Sequence, residues 1–150
     1  MPESDSYEEV LEFAIDREIE ANQFFLALAK RVDTEEMRKV FEELAAEELE
    51  HKAKLELELM KTGKTVEIKQ PLGTPQKTYI ISDDKLLLDM DYKSILKLAM
   101  EKEEAAFRLY VSLVPNAPDT ESREVLLAIA QEEVRHKLRF QIELDMITGL

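Results

Sequence analysis

The stretch that decides the fold is Leu44-Ala45-Ala46-Glu47-Glu48-Leu49-Glu50-His51-Lys52-Ala53-Lys54-Leu55. Leu44 and Leu55 belong to an apolar stripe at helical spacing, and Glu48 falls inside that stripe where a hydrophobic residue is expected. A carboxylate buried alone is heavily penalised, so Glu48 calls for a proton, a cation or a metal. His51 follows it by three residues, which places both side chains on one side of a helix, within reach of a single ion.

The same arrangement returns 85 residues later as Glu132-Glu133-Val134-Arg135-His136. The chain has only two histidines, and each closes a Glu-x-x-His motif. Two further glutamates interrupt apolar stripes: Glu18, between Ala14, Ile15 and Ala21, Phe25, and Glu103, between Ala99 and Ala106. A single such motif in an acidic chain reads as a surface feature. Four inward glutamates on four helices, two of them paired with every histidine present, do not.

Spacing gives a separate argument. Glu18 and Glu48 are 30 residues apart with Asp33 midway, and Glu103 and Glu133 are 30 apart with Pro118 midway. Each pair therefore sits at one height of an antiparallel hairpin, about 22 Å from its turn at 1.5 Å per residue. At an offset of 85, Glu18 superposes on Glu103, Ala21 on Ala106, Phe25 on Tyr110, Glu48 on Glu133 and His51 on His136. The sequence thus repeats a helical hairpin internally.

Working outward, helices are predicted over about 6–32, 34–61, 92–114 and 119–147. Ser6 with Glu9, and Asp33 with Glu36, read as capping boxes at the first two, and Gly63 stops the second. Inward residues are Leu11, Ala14, Ile15, Ala21, Phe25, Leu28 and Val32; Met37, Phe41, Leu44, Leu55 and Leu59; Ile95, Leu96, Ala99, Ala106, Tyr110 and Leu113; and Leu126, Ile129, Phe140 and Leu144. Pro115 and Pro118 break the chain between the third and fourth. A connection over about 62–91 carries most of the glycine and proline, with short alternating runs at Thr65–Ile68 and Thr78–Ile81. One domain over 1–150 is expected, all-α, an antiparallel four-helix bundle of two helical hairpins joined by a long crossover.

Bulk properties narrow the function. With 45% hydrophobic and 35% charged residues the chain reads as soluble and globular. A formal net charge of −13 disfavours nucleic acid and anionic membranes and attracts cations. Having no cysteine, the chain makes no disulfide, iron–sulfur cluster or thiolate zinc site. Neither a signal peptide nor a membrane-crossing apolar run is evident, so a cytoplasmic location is expected. Four carboxylates and two neutral imidazoles carry a charge of about −4, which two divalent ions would cancel, and the oxygen-rich set suits iron or manganese better than structural zinc.

On these residues the sequence resembles the ferritin-like superfamily, where two helices give a Glu and two give Glu-x-x-His to a di-iron or di-manganese centre. Within it the sequence most resembles the rubrerythrin family, over nearly the whole chain. The resemblance implies metal ligands at Glu18, Glu48, His51, Glu103, Glu133 and His136, with Glu48 and Glu133 bridging and Glu18 and Glu103 terminal. It implies two iron ions, with manganese, mixed iron and manganese, or zinc as alternatives, and reduction of peroxide or oxygen. Two departures count against a full match. The family's rubredoxin-like domain with four cysteines is missing, so a separate electron-donor protein is expected. Ala106 stands where the family carries an additional glutamate, while Glu104 points off the stripe. Tyr110, seven residues after Glu103, is a candidate hydrogen-bond donor to the site, though a core tyrosine is the plainer reading. Ferrous iron oxidation or binding without a storage cage, and a bundle merely stabilised by metal, are the competing functions. A homodimer is expected.

Overall fold

Four long helices account for most of the residues described, which are 6–63 and 90–149 of a computed structural model. They are α1 (Tyr7–Arg31), α2 (Glu35–Lys61), α3 (Tyr92–Leu113) and α4 (Thr120–Thr148), with a 3-10 turn at Val114–Asn116 before α4. The short alternating runs expected at 65–68 and 78–81 lie outside the described residues. The chain divides into two compact units, Met1–Asp89 and Met90–Leu150, and each is a helical hairpin: α1 packs on α2, and α3 on α4.

In the first unit α1 opens with the capping box expected from sequence. Ser6 Oγ accepts from the Glu9 amide at 3.1 Å, and Glu9 Oε1 accepts from the Ser6 amide at 3.2 Å. The expectation for α2 needs correction: its cap is Thr34, whose Oγ1 accepts from the Met37 amide, and not Asp33. Val32 is extended and ends α1, so the chain must turn through Asp33, and Thr34 is the first residue able to offer its hydroxyl to the new helix. Gly63, at φ 87, follows the α2 C-cap Thr62 in a conformation that L side chains seldom adopt.

The second unit repeats the scheme with aspartates as caps. Asp91 accepts from the Ser94 amide at 2.8 Å and Asp119 from the Ser122 amide at 2.7 Å. The amide of Ser94 stabilises the Asp91 carboxylate and holds it below its ordinary pKa. Pro115, which lacks an amide hydrogen, sits early in the 3-10 turn, where none is needed.

Packing follows the stripes read from sequence. Leu11, Ile15, Phe25, Leu28, Phe41 and Leu55 are buried in the first unit, and Ile95, Leu96, Tyr110, Leu126, Ile129 and Phe140 in the second. Ala21, Val32, Ala106 and Leu144 are only half-buried, while Ile19, Phe24 and Ala29 join the core. Each fully buried aromatic or aliphatic side chain contributes roughly 1.5–3 kcal/mol relative to exposure. Neighbours of that kind fix where the glutamates among them must sit.

Candidate metal centre

Each hairpin carries one buried Glu, Glu, His set. In the first, Glu18 comes from α1 and Glu48 and His51 from α2, with side chains no more than 2% exposed. His51 Nδ1 lies 3.2 Å from Glu48 Oε1 and 3.6 Å from Glu18 Oε1. In the second, Glu103 comes from α3 and Glu133 and His136 from α4. His136 Nδ1 lies 2.8 Å from Glu103 Oε2 and 3.4 Å from Glu133 Oε1. One donor atom from every member of a set lies within 4.8 Å of the others of that set.

The convergence follows from the hairpin. The turn between α1 and α2 spans Val32 to Thr34, centred where Glu18 and Glu48 predict, and the turn before α4 spans Ala117 to Asp119. Equal helix lengths on either side of a turn bring the two glutamates to one height. The three-residue step then adds each histidine to its glutamate's face. In the first unit a buried amide fixes the register further: Asn22 Nδ2 donates to the Ala45 carbonyl at 2.8 Å, one turn along α1 from Glu18.

Oxygen and imidazole donors held together in an apolar interior are what hard or intermediate divalent metals need, and they make a poor hydrophobic core. The sets therefore fit a metal on the chemistry of their donors. Tyr110 is 1% exposed, on the same face of α3 as Glu103. Glu104 is half-buried, off that face as expected, and is engaged elsewhere: Lys137 Nζ donates to Glu104 Oε1 at 2.8 Å and Arg108 Nε to Glu104 Oε2 at 2.9 Å. Those bonds, Lys137 first, hold Glu104 below the usual carboxylate pKa.

Sequence reasoning passed over three features. Asn22 was legible as an amide on an apolar stripe. Lys52 and Lys137 follow the two histidines and coincide at the 85-residue offset, a signal in the repeat itself. Lys52 is buried and pairs along its own helix with Glu56 at 3.1 Å, whereas Lys137 pairs across the hairpin. At the far end of the second hairpin, Tyr92 donates its hydroxyl to Glu143 Oε2 at 3.1 Å. That contact, joining residues 51 apart, left no local signal.

No described helix is long and apolar enough to cross a membrane. Among curated proteins none matches the sequence. A solved structure of a hypothetical protein from Pyrococcus furiosus matches with a TM-score of 0.75 at 25% identity, over 96% of this chain and 91% of that one. The fold class is all-α, a ferritin-like four-helix bundle. The rubrerythrin family model matches residues 9–144. With a hairpin that carries a buried Glu, Glu, His set present twice, and a family match over nearly its whole length, the chain belongs to the rubrerythrin family.

Proposed function

We propose that the six residues Glu18, Glu48, His51, Glu103, Glu133 and His136 together hold two iron ions, and that the protein is a di-iron oxidoreductase reducing peroxide or oxygen. The observation that carries this reading is the burial of both complete Glu, Glu, His sets, one per hairpin. Bound iron supplies the redox chemistry, in which hydrogen peroxide, two electrons and two protons become two water molecules. The electrons come from a separate donor protein, since the chain has no cysteine with which to carry an iron–sulfur or rubredoxin-type centre.

The chain's own residues hold and orient. Glu18 and Glu103 would serve as terminal ligands and Glu48 and Glu133 as bridging ones, as the family resemblance implies, and four carboxylate charges would balance two divalent ions. Apolar neighbours such as Ile15, Phe25, Ala99 and Phe140 keep bulk water away. Tyr110, buried on the face that carries Glu103, would offer its hydroxyl as a hydrogen-bond donor to the site. This reading places the protein in the cytoplasm, as a homodimer, with manganese or zinc as competitors for the metal.

Ala106, at the place of the family's additional glutamate, favours ferrous iron oxidation or binding without a storage cage as the second reading. Metal analysis with visible spectroscopy, on protein purified without oxygen and then given peroxide, tests both. About two irons per chain, with absorption that grows on oxidation and bleaches as a reductant is consumed with peroxide, supports the reductase. Oxidation of ferrous iron without sustained peroxide turnover supports the second reading. Tight zinc with no spectral change defeats both and leaves a metal-stabilised bundle.

A further inference from the structure

The two hairpins repeat their ligands but not the residues one step away. In the second hairpin, Glu104 follows Glu103 and Lys137 follows His136, and the two side chains are joined across the hairpin at 2.8 Å. Arg108 holds the other oxygen of Glu104 at 2.9 Å. At the corresponding places in the first hairpin stand Ile19, Lys52 and Gln23. Ile19 offers no carboxylate, and Lys52 turns along α2 to Glu56. At these equivalent places, then, the second hairpin has an ion pair that ties α3 to α4 beside Glu103 and His136, and the first has a pair that stays within α2.

The contact between the helices differs in the same sense. His136 Nδ1 lies within hydrogen-bond distance of Glu103, at 2.8 Å, while the equivalent distance from His51 to Glu18 is 3.6 Å. Within one helix the two sets are nearly alike, His51 to Glu48 at 3.2 Å and His136 to Glu133 at 3.4 Å. Donors from two helices that already converge lose less conformational freedom when an ion arrives.

We propose that Glu104 and Lys137 are positioning residues that hold Glu103 and His136 in register, so that the second hairpin takes up the first metal ion. This rests on the metal-site reading given above. The pair is well placed for such a role and for a test of it. It lines an open cleft of about 630 Å³ together with Met100, Ala105 and Leu144, and its two side chains are 36% and 34% exposed. Removing either member therefore leaves no buried cavity.

Charge and position make opposite predictions, which separates them. If the pair acted through its field alone, Glu104→Gln would leave the Lys137 ammonium beside the site and weaken cation binding. Lys137→Met would leave a carboxylate there and strengthen it. Partly exposed charges are screened, so the field effect is small. If the pair acts by position, both substitutions weaken binding, and the double variant does no worse than either alone.

The experiment is a titration of the metal-free protein with cobalt(II), followed by its visible absorption, alongside thermal unfolding of the metal-free forms. The expected result is two binding phases, with Glu103→Gln abolishing the tighter and Glu18→Gln the weaker. Glu104→Gln and Lys137→Met should each weaken the tight phase by roughly tenfold or more, as outer-shell changes commonly do, with the weak phase unmoved and affinity recovered in Lys137→Arg. A purely structural role would lower the unfolding temperature and loosen both phases together, and it would refute the proposal. So would opposite effects of the two substitutions, or a tight phase lost in Glu18→Gln. Cobalt binding insensitive to both Glu18→Gln and Glu103→Gln would remove the metal-site reading itself, and the proposal with it.

Discussion

Replacing Glu48 by glutamine should stabilise the metal-free protein and remove most of what metal adds. Glu48 Oε1 and Glu18 Oε1 approach the same nitrogen, His51 Nδ1, at 3.2 and 3.6 Å. The two oxygens are therefore at most about 7 Å apart, and at an effective dielectric constant of about 20 two carboxylate charges no farther apart than that repel by at least about 2 kcal/mol. Glutamine keeps the shape and removes the repulsion, so the metal-free variant should unfold roughly 4–8 °C higher than the parent at neutral pH. The loaded protein should respond in the opposite direction. With free metal at a hundred times its dissociation constant, one site contributes about 2.7 kcal/mol, and a hundredfold loss of affinity reduces that to about 0.4 kcal/mol. Differential scanning calorimetry with and without cobalt(II) or ferrous iron measures both quantities on the same samples. A metal-free variant that unfolds lower than the parent, with its metal-dependent shift intact, would show Glu48 to be a satisfied structural carboxylate and would sink the reasoning.

Three further outcomes follow from other parts of the structure. Asn22→Ala removes the 2.8 Å bond to the Ala45 carbonyl and leaves that buried oxygen with less than its full complement. It should cost about 1–3 kcal/mol in urea denaturation, with the slope unchanged. Tyr92 has its phenol pKa raised above the ordinary 10.0, first by burial and then by the Glu143 charge and hydrogen bond. A group whose folded pKa is raised contributes stability that is whole below its unfolded value and is lost as pH climbs past it. Unfolding free energy should thus fall above about pH 10, and the fall should be shallower in Tyr92→Phe. Tyr110→Phe should lower peroxide consumption severalfold while unfolding free energy changes by no more than about 1 kcal/mol. A variant that loses stability without a change in turnover would make Tyr110 a core residue.

The readable and the unreadable parts of the molecule divide by physical cause. The buried glutamates were legible because burial makes a carboxylate anomalous: Glu18, Glu48, Glu103 and Glu133 each replace an apolar residue in a 3.6-residue period, and period is a local property. Ser6 and Glu9 were legible for the same reason, their bonds spanning three residues. The α2 cap was misplaced by one residue because Asp33 and Thr34 are both good caps, and the choice depends on where α1 ends. Tyr92 with Glu143, and Glu104 with Lys137, join residues 51 and 33 apart. No local pattern marks such partners, since an exposed lysine in an acidic chain has many carboxylates to choose among.

That difference bears on how a repeated hairpin comes to have two unlike copies. The spacing of Glu18, Glu48 and His51 returns unchanged in Glu103, Glu133 and His136, because a shift of a single residue would swing a ligand about 100° around its helix and out of the set. Residues beside the ligands are under no such constraint. Where the second hairpin has Glu104, the first has Ile19, fully committed to the core, and where the first has Asn22, the second has Phe107. The first hairpin is thus aligned by an amide bonded to backbone, the second by an ion pair at its surface. An amide-to-backbone bond buried in the core is insensitive to salt, whereas a partly exposed ion pair weakens as salt rises. Raising ionic strength should therefore narrow the affinity gap between the two metal phases chiefly by loosening the tighter one. Cobalt(II) titrations at low and high salt, compared between the parent and Glu104→Gln, measure it; a gap that narrows equally in both would assign the salt effect to the general acidic field of the protein and not to this ion pair.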